Sequence, residues 1–318
     1  MIGPSLEYHL PTDLEIFDEW IPKLHWDSSQ EDAKYLISCA TAYPGQSIIV
    51  VDDYRVDESY QQVLLMAGLR WLQFDSTASM PLWADWILNA SPAACQEDYA
   101  KLLQKSNALA LVGPEYAVLR PEFSVLPSRI REESDAINVL VTFGGGDDRG
   151  AILSTLKCLL PVTPAKVCFH VISGHHNPRN IEIKRWIQSV AGGRVILHVN
   201  PAHMASIFLD CDIAIMAGGT TTFEAAACGL PMILITIAEN QVNQAQAWHD
   251  LGIAVFLGRF SGLSADKLIH EFSRFLDVAW RQHVCNHSRL RVDGRGAERV
   301  VSILLRSERE TNNNYDFV

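Results

Sequence analysis

The sequence predicts an α/β protein built from two parallel-sheet domains, the first of them incomplete. Three observations carry this reading. Buried-strand patterns alternate with helical stretches along most of the chain, as expected where parallel strands are joined by crossovers. The 318 residues suffice for two such domains. The second half alone holds six strand patterns, enough for a complete doubly wound sheet. The first half holds fewer and starts without one.

In the first block, 47–52 reads as a buried strand, 58–66 as a helix and 69–74 as a second strand. Short strands are expected at 86–89 and 109–113. Ahead of them, 1–43 offers one helix, at 32–41, and no buried strand followed by a glycine-rich turn. The usual opening βαβ unit of a Rossmann-like domain is therefore missing from this reading. Residues 121–134 are first proline-bearing and then charged, and read as a connector. They divide the chain into an N-terminal domain over 1–125 and a C-terminal domain over 135–318. In the second block, strands are expected near 138–143, 166–172, 194–199, 213–216, 232–235 and 254–257. Helices lie between them, a long helical region follows Leu263, and the asparagine-rich tail from Thr311 should fray.

Composition excludes several classes. Hydrophobic residues make up 48% and charged residues 20%, values of an ordinary globular protein with a substantial core. A net charge of −11 argues against nucleic acid or an anionic membrane as the main partner. No stretch resembles a signal peptide, and none approaches the roughly 18 apolar residues of a membrane span. The seven cysteines form no CxxC pair and fall mostly in apolar segments. They read as reduced, buried thiols of a cytoplasmic protein.

The most informative stretch runs from Asp212 to Ile235. Four apolar or small residues lead into Ala217-Gly218-Gly219, three threonines open a helical run that stops at Gly229-Leu230-Pro231, and a second apolar run follows. The order is strand, glycine turn, helix, strand. The amides that open a helix lack partners within it, its dipole favours negative charge, and glycine lets a ligand come close. Glu224, one turn in, is placed to accept hydrogen bonds from sugar hydroxyls. Diphosphate beside ribose indicates a nucleotide that carries a sugar.

A second loop, Val139-Leu-Val-Thr-Phe-Gly-Gly-Gly-Asp-Asp148, ends a strand in three glycines before a helix from about Arg149 to Leu159. Both turns fall at the strand carboxyl ends, where open α/β sheets bind ligands. The candidate nucleotide-binding residues are therefore Gly144, Gly145, Gly218, Gly219, Thr220, Thr221, Thr222 and Glu224. Asn240, Gln241 and Gln244 follow the next strand and offer amides that can donate to and accept from sugar hydroxyls. Plainer roles exist for each: N-capping for the threonines and for Asp147 or Asp148, a capping box or helix surface for Glu224, and a polar helix start for the amides.

Asp210-Cys-Asp212 has the form of a metal-holding DxD, but it lies between a helix end and a strand start, at the edge opposite the glycine turns. No metal site and no cofactor are expected, and no spacing such as HExxH is present. His175-His176 reads as a polar loop near the ligand edge.

Together these residues resemble the GT-B superfamily, and within it the UDP-sugar hydrolase of pseudaminic acid biosynthesis. The matching pieces are Val50-Val-Asp-Asp-Tyr54, Gly113-Pro-Glu-Tyr-Ala-Val-Leu-Arg-Pro-Glu-Phe123, Phe143-Gly-Gly-Gly-Asp147, Ala217-Gly-Gly-Thr-Thr-Thr-Phe-Glu224, Gly229-Leu-Pro231, Glu239-Asn-Gln241 and Val292-Asp-Gly-Arg-Gly-Ala-Glu-Arg299. The Gly-Gly-Thr…Glu piece is shared with the peptidoglycan N-acetylglucosaminyl transferases, whereas the string from Gly113 to Phe123 is much more specific. The resemblance implies UDP on the C-terminal domain, with Glu224 on the ribose and 219–222 on the diphosphate, and metal-free hydrolysis in a bacterial cytosol. It also implies a histidine that activates water, carried by a Gly-x-Gly-His-x-x-Arg turn. This sequence shows no such turn, and neither His9 nor His25 fits it. The family's Asp-His-Tyr stands here as Asp52-Asp53-Tyr54, and its paired aspartates as Asp75-Ser76. Three readings follow: a hydrolase whose opening unit was lost or omitted, a binding-only relative, or a glycosyltransferase with another base. The chain as given is expected to bind nucleotide with turnover near background. A second copy or a partner chain is expected over the gap in its first sheet.

Overall fold

Runs of β-branched and aliphatic residues set the strands, and the pattern of burial shows why. The computed structural model describes residues 29–42, 47–127, 136–190 and 192–313. The chain separates into two compact units, one formed by 1–88 with 96–111 and the other by 89–95 with 112–318. His9 and His25 lie outside the described residues, as does 1–28, most of the stretch ahead of the first expected strand.

In the first unit, α1 (Ser29–Thr41) precedes β1 (Ile48–Val51), α2 (Glu58–Met66), β2 (Arg70–Phe74), β3 (Trp86–Asn89), α3 (Gln96–Ala100) and β4 (Leu109–Val112). The strands lie in the order β1-β2-β3-β4, with β1, β2 and β3 parallel. Asp57 caps α2 by accepting the Tyr60 amide at 2.8 Å. Trp71, Trp86 and Leu64 are fully buried.

The second unit contains β5 (Ile137–Thr142), α4 (Ala151–Leu159), β6 (Val167–Ser173), α5 (Asn180–Val190), β7 (Val195–Val199), α6 (Met204–Asp210) and β8 (Ile213–Met216). It continues with α7 (Thr221–Ala227), β9 (Met232–Thr236), α8 (Val242–Asp250) and β10 (Ala254–Arg259). Three helices, α9 (Ala265–Arg274), α10 (Val278–Arg291) and α11 (Gly296–Asn313), complete it. Its strands are all parallel, in the order β7-β6-β5-β8-β9-β10, the doubly wound 3-2-1-4-5-6 arrangement.

Alternate residues of these strands feed two cores. Val139, Val141, Ile213, Ile215, Ile233 and Ile235 join Leu156 and Phe272, from α4 and α9, on one side. Leu140, Ala214, Met216, Met232 and Leu234 join Phe208, Phe223 and Trp248, from α6, α7 and α8, on the other. A strand covered on both faces reads as a continuous apolar run, which is how these strands announce themselves in the sequence.

Two expectations need correction. The helix expected from Arg149 begins at Ala151, because Arg149 and Gly150 hold φ angles of 54° and 85°, outside the helical region. The first part of the expected connector is no free linker. Phe123 is fully buried in the second unit, edge-on to Phe208 with ring centres 6.1 Å apart. The remainder, 128–134, lies outside the described residues.

Candidate functional site

The strand order reverses between β5 and β8. Thr142 and Met216 are register partners at the ends of these strands, so both glycine turns leave the sheet side by side. The Ala217 amide donates to the Thr142 carbonyl at 3.2 Å and ties them together. This is the topological switch point, where helices leave for opposite faces and a crevice opens at the strand carboxyl ends. The loop after β6 joins the same edge. A Cβ on Gly174 would collide with the Gly145 carbonyl, so the Gly144–Gly146 loop rests on bare backbone. Asp148 is buried beneath it. It accepts the Ile152 amide at 2.8 Å and the Asn177 side-chain amide at 3.2 Å. It therefore caps α4 from inside the protein.

The turn from Gly218 to Thr222 is held by side chains rather than by helix capping. Thr220 makes no side-chain capping bond. Thr222 instead donates its hydroxyl to the Gly219 carbonyl at 2.7 Å, and accepts the Trp248 indole N–H at 3.0 Å. The Gln244 amide nitrogen reaches the Gly218 carbonyl (3.0 Å), the Gly219 carbonyl (2.9 Å) and Thr222 Oγ1 (3.1 Å). Thr222 and Trp248 are fully buried. The turn is thus fixed by α8 packed behind it, and Gly219, Thr220 and Thr221 stand at its outer end.

Glu224 points into this site with its side chain 14% exposed. Arg120 meets it from 104 residues away in sequence, with Nη2 donating to Oε1 at 2.7 Å. Burial pushes the Glu224 carboxyl above the ordinary glutamate range, and the Arg120 guanidinium opposes that rise. The same Arg120 lies 3.5 Å from Glu122 Oε1, which accepts the Met204 amide at 3.2 Å. Phe123 and the C-terminal motif fix this segment. A Cβ on Gly294 would strike the Phe123 carbonyl, and one on Gly296 the Ala117 carbonyl. Arg299 pairs with Asp293 and donates to the Glu115 carbonyl at 2.8 Å. The segments 113–123 and 292–299, far apart in sequence, therefore pack on each other, and together they deliver Arg120 to Glu224.

The remaining candidates divide. Gln241 stands beside the turns, but its side-chain Oε1 accepts the Ile237 amide at 3.0 Å, and the Gln244 side-chain amide nitrogen holds the glycine turn. Asn240 is exposed on the same loop, after β9. His175 and His176 are exposed after β6, ring centres 5.4 Å apart. Asp212 sits at the amino end of β8, where it accepts the Asn138 amide at 2.8 Å, the whole strand away from the glycine turn. In the first unit, Asp53 is tied to Arg55, which holds its carboxyl below the usual range. Asp75 accepts the Tyr99 hydroxyl at 2.5 Å and the Thr77 and Ala78 amides.

Sequence reasoning missed two groups. Arg120 lay inside a string quoted only for its family likeness. Thr236, at the carboxyl end of β9, buries a hydroxyl that has no hydrogen-bond partner among the described residues. Nothing in its sequence context distinguishes it from a packed strand residue.

This site belongs to a GT-B-like α/β protein, the fold found in comparison with solved structures. Acinetobacter baumannii MurG superposes with a TM-score of 0.60 at 13% identity, over 87% of this chain and 78% of that one. The UDP co-structure of S. aureus MnaA gives 0.58 at 12% identity, over 88% and 82%. Among curated proteins, the chain is 28% identical over 207 residues to the spore coat polysaccharide biosynthesis protein SpsG of Bacillus subtilis (strain 168), 64% of this chain and 60% of that protein. It is 31% identical over 116 residues to a Helicobacter pylori (strain ATCC 700392 / 26695) protein described as pseudaminic acid cytidylyltransferase and UDP-2,4-diacetamido-2,4,6-trideoxy-beta-L-altropyranose hydrolase. That match covers 36% of this chain and 20% of the relative. The chain thus spans less than two thirds of the length of either relative. No family model matches it. Among the described residues, no helix is long and apolar enough to cross a membrane, and no group of three or more His, Cys, Asp or Glu is placed to hold a metal ion.

Proposed function

We propose that the second unit binds a UDP-sugar at its switch point, as a hydrolase of the pseudaminic acid type or a catalytically weak relative of one. The observation that carries this reading is Glu224, a nearly buried carboxylate beside two glycine turns on one sheet edge. Gly144, Gly145 and 219–221 would take the diphosphate on backbone amides and threonine hydroxyls, Glu224 the ribose, and Asn240 the sugar, with Gly218 and the buried Thr222 holding the turn from behind. Gln241 and Gln244 support this site through the backbone they hold. The polysaccharide-biosynthesis and hydrolase names of the two sequence relatives support the substrate class. A second reading, a glycosyltransferase drawing on the same donor pocket, is favoured by the fold likeness to MurG.

Hydrolysis needs a positioned base, typically a contribution of about 10²–10⁴-fold. Asp53 is a poor one, since its pairing with Arg55 stabilises the carboxylate. Incubation with the altrose-configured UDP-sugar should therefore release UDP only near the background rate. Release at an enzymatic rate would overturn this expectation and turn the search for the base to His175, His176 and Asp53. Release only with an added acceptor would favour the transferase reading. Because Asp212 serves the sheet at the far end of β8, EDTA should leave UDP affinity unchanged in a calorimetric titration. A clear requirement for Mg²⁺ or Mn²⁺ would return the aspartate pair to the site.

A further inference from the structure

We propose that Arg120 is a positioning residue for nucleotide binding, one that keeps Glu224 ionised and aimed so that its free oxygen can accept the ribose hydroxyls. The inference rests on the UDP reading above. Arg120 engages Oε1 at 2.7 Å, and Oε2 takes no hydrogen bond from the described residues. A carboxylate has about four acceptor positions, so one charge-assisted bond leaves room for two hydroxyls. A buried carboxylate without a partner gains a proton instead of holding its charge.

Arg120 is built into place rather than free to wander. Its carbonyl accepts the Phe123 amide at 2.9 Å, and its guanidinium stands 5.6 Å from the centre of the buried Phe123 ring. Gly294 and Gly296 press the segment from behind, where no side chain would fit. A guanidinium held this way loses little freedom when it pairs.

The groups around Glu224 decide how protonation acts on it. From the connecting segment come Arg120 and Glu122; His203, at the start of α6, lies 4.0 Å from Glu122. From α8 come the neutral Gln244 and Trp248. From α10, Cys285 and Arg289 approach Gly229, beyond the far end of α7. Arg120 is the cation that contacts the carboxylate. Burial raises the Glu224 carboxyl and Arg120 lowers it, so removing Arg120 moves its titration further up. Affinity for the nucleotide should then fall as pH falls.

The test is calorimetry with UDP on Arg120→Met, Glu224→Gln and the double variant at about pH 6 and about pH 8, a carboxyl raised by burial being the more readily protonated at the lower pH. Arg120→Met should bind UDP about tenfold more weakly than wild type at the lower pH and only about twofold more weakly at the higher. In the Glu224→Gln background the same substitution should change affinity less than about twofold at either pH, because the group it acts through is gone. That background also removes the titration of UDP from the comparison. An equal loss at both pH values that persists in the double variant would mean that Arg120 touches the diphosphate directly, and would overturn the proposal. Unchanged affinity in Arg120→Met would overturn it as well. If Arg120→Met does not fold, Arg120→Gln, uncharged but still a donor, carries the same expectation.

A second readout does not need the ligand. Carboxyl ¹³C NMR of the free protein, with the Glu224 signal assigned by its loss in Glu224→Gln, should show a higher titration midpoint in the Arg120 variant. An unmoved midpoint refutes the positioning role. Failure of wild type to bind UDP, with the midpoint moved, would instead count against the nucleotide reading alone.

Discussion

Replacing Trp248 with alanine is expected to cost about 3–5 kcal/mol of stability, the range for emptying a large aromatic site in a packed core. Trp248 is fully buried on α8, edge-on to Phe223 with ring centres 5.5 Å apart, among the residues that cover one face of the second sheet. Its indole N–H also donates to Thr222 Oγ1, so the substitution removes one of the bonds that fix the glycine turn. For a unit of this size the loss corresponds to a fall in Tm of roughly 6–20 °C. Trp248→Phe keeps most of the volume and loses only the N–H, so it should melt much closer to wild type. Scanning calorimetry or circular dichroism on both variants checks this. A Trp248→Ala protein within about 1 kcal/mol of wild type would mean that α8 does not brace the site as described.

The second sheet was legible in the sequence because its strands are covered on both faces and so appear as unbroken apolar runs. All six strands fall within a residue or two of where 138–143, 166–172, 194–199, 213–216, 232–235 and 254–257 placed them. The glycine turns were legible for a related reason, since glycines directly after a buried strand mark a sharp exit from the sheet. What could not be read was the order of the strands. Only the pairing of β5 with β8 brings Gly144–Gly146 next to Gly218–Thr222, and pairing is a tertiary fact.

The site's side chains were legible only in part. An amide such as Gln244 can serve a ligand or a backbone carbonyl equally well, and its local sequence is the same in both cases. The structure turns it inward, onto Gly218 and Gly219. Capping was the plainer alternative to ligand binding for the three threonines, yet Thr222 bonds back to Gly219 and Thr220 makes no capping bond. Arg120 illustrates the wider difficulty. Its partner is 104 residues away, and the clamp that holds it comes from Gly294, Gly296 and Arg299 near the other end of the unit. Periodicity reports a residue's own element, not what meets it across the fold.

Glu224 is expected above all to receive the ribose of a uridine nucleotide at the switch point. Calorimetric titration of the wild type and of Glu224→Ala with UDP at neutral pH tests it most directly. The wild type should bind, and the variant should bind more weakly by about 1–3 kcal/mol, or roughly 5- to 150-fold, the effect of losing hydrogen bonds to a charged acceptor. Thermal melting of the variant checks that it is folded. Its stability should hold, because a carboxylate whose ionisation burial already opposes is removed, and Arg120, 45% exposed, keeps water as a partner where it stands. Equal affinity for UDP in wild type and folded Glu224→Ala would contradict the claim.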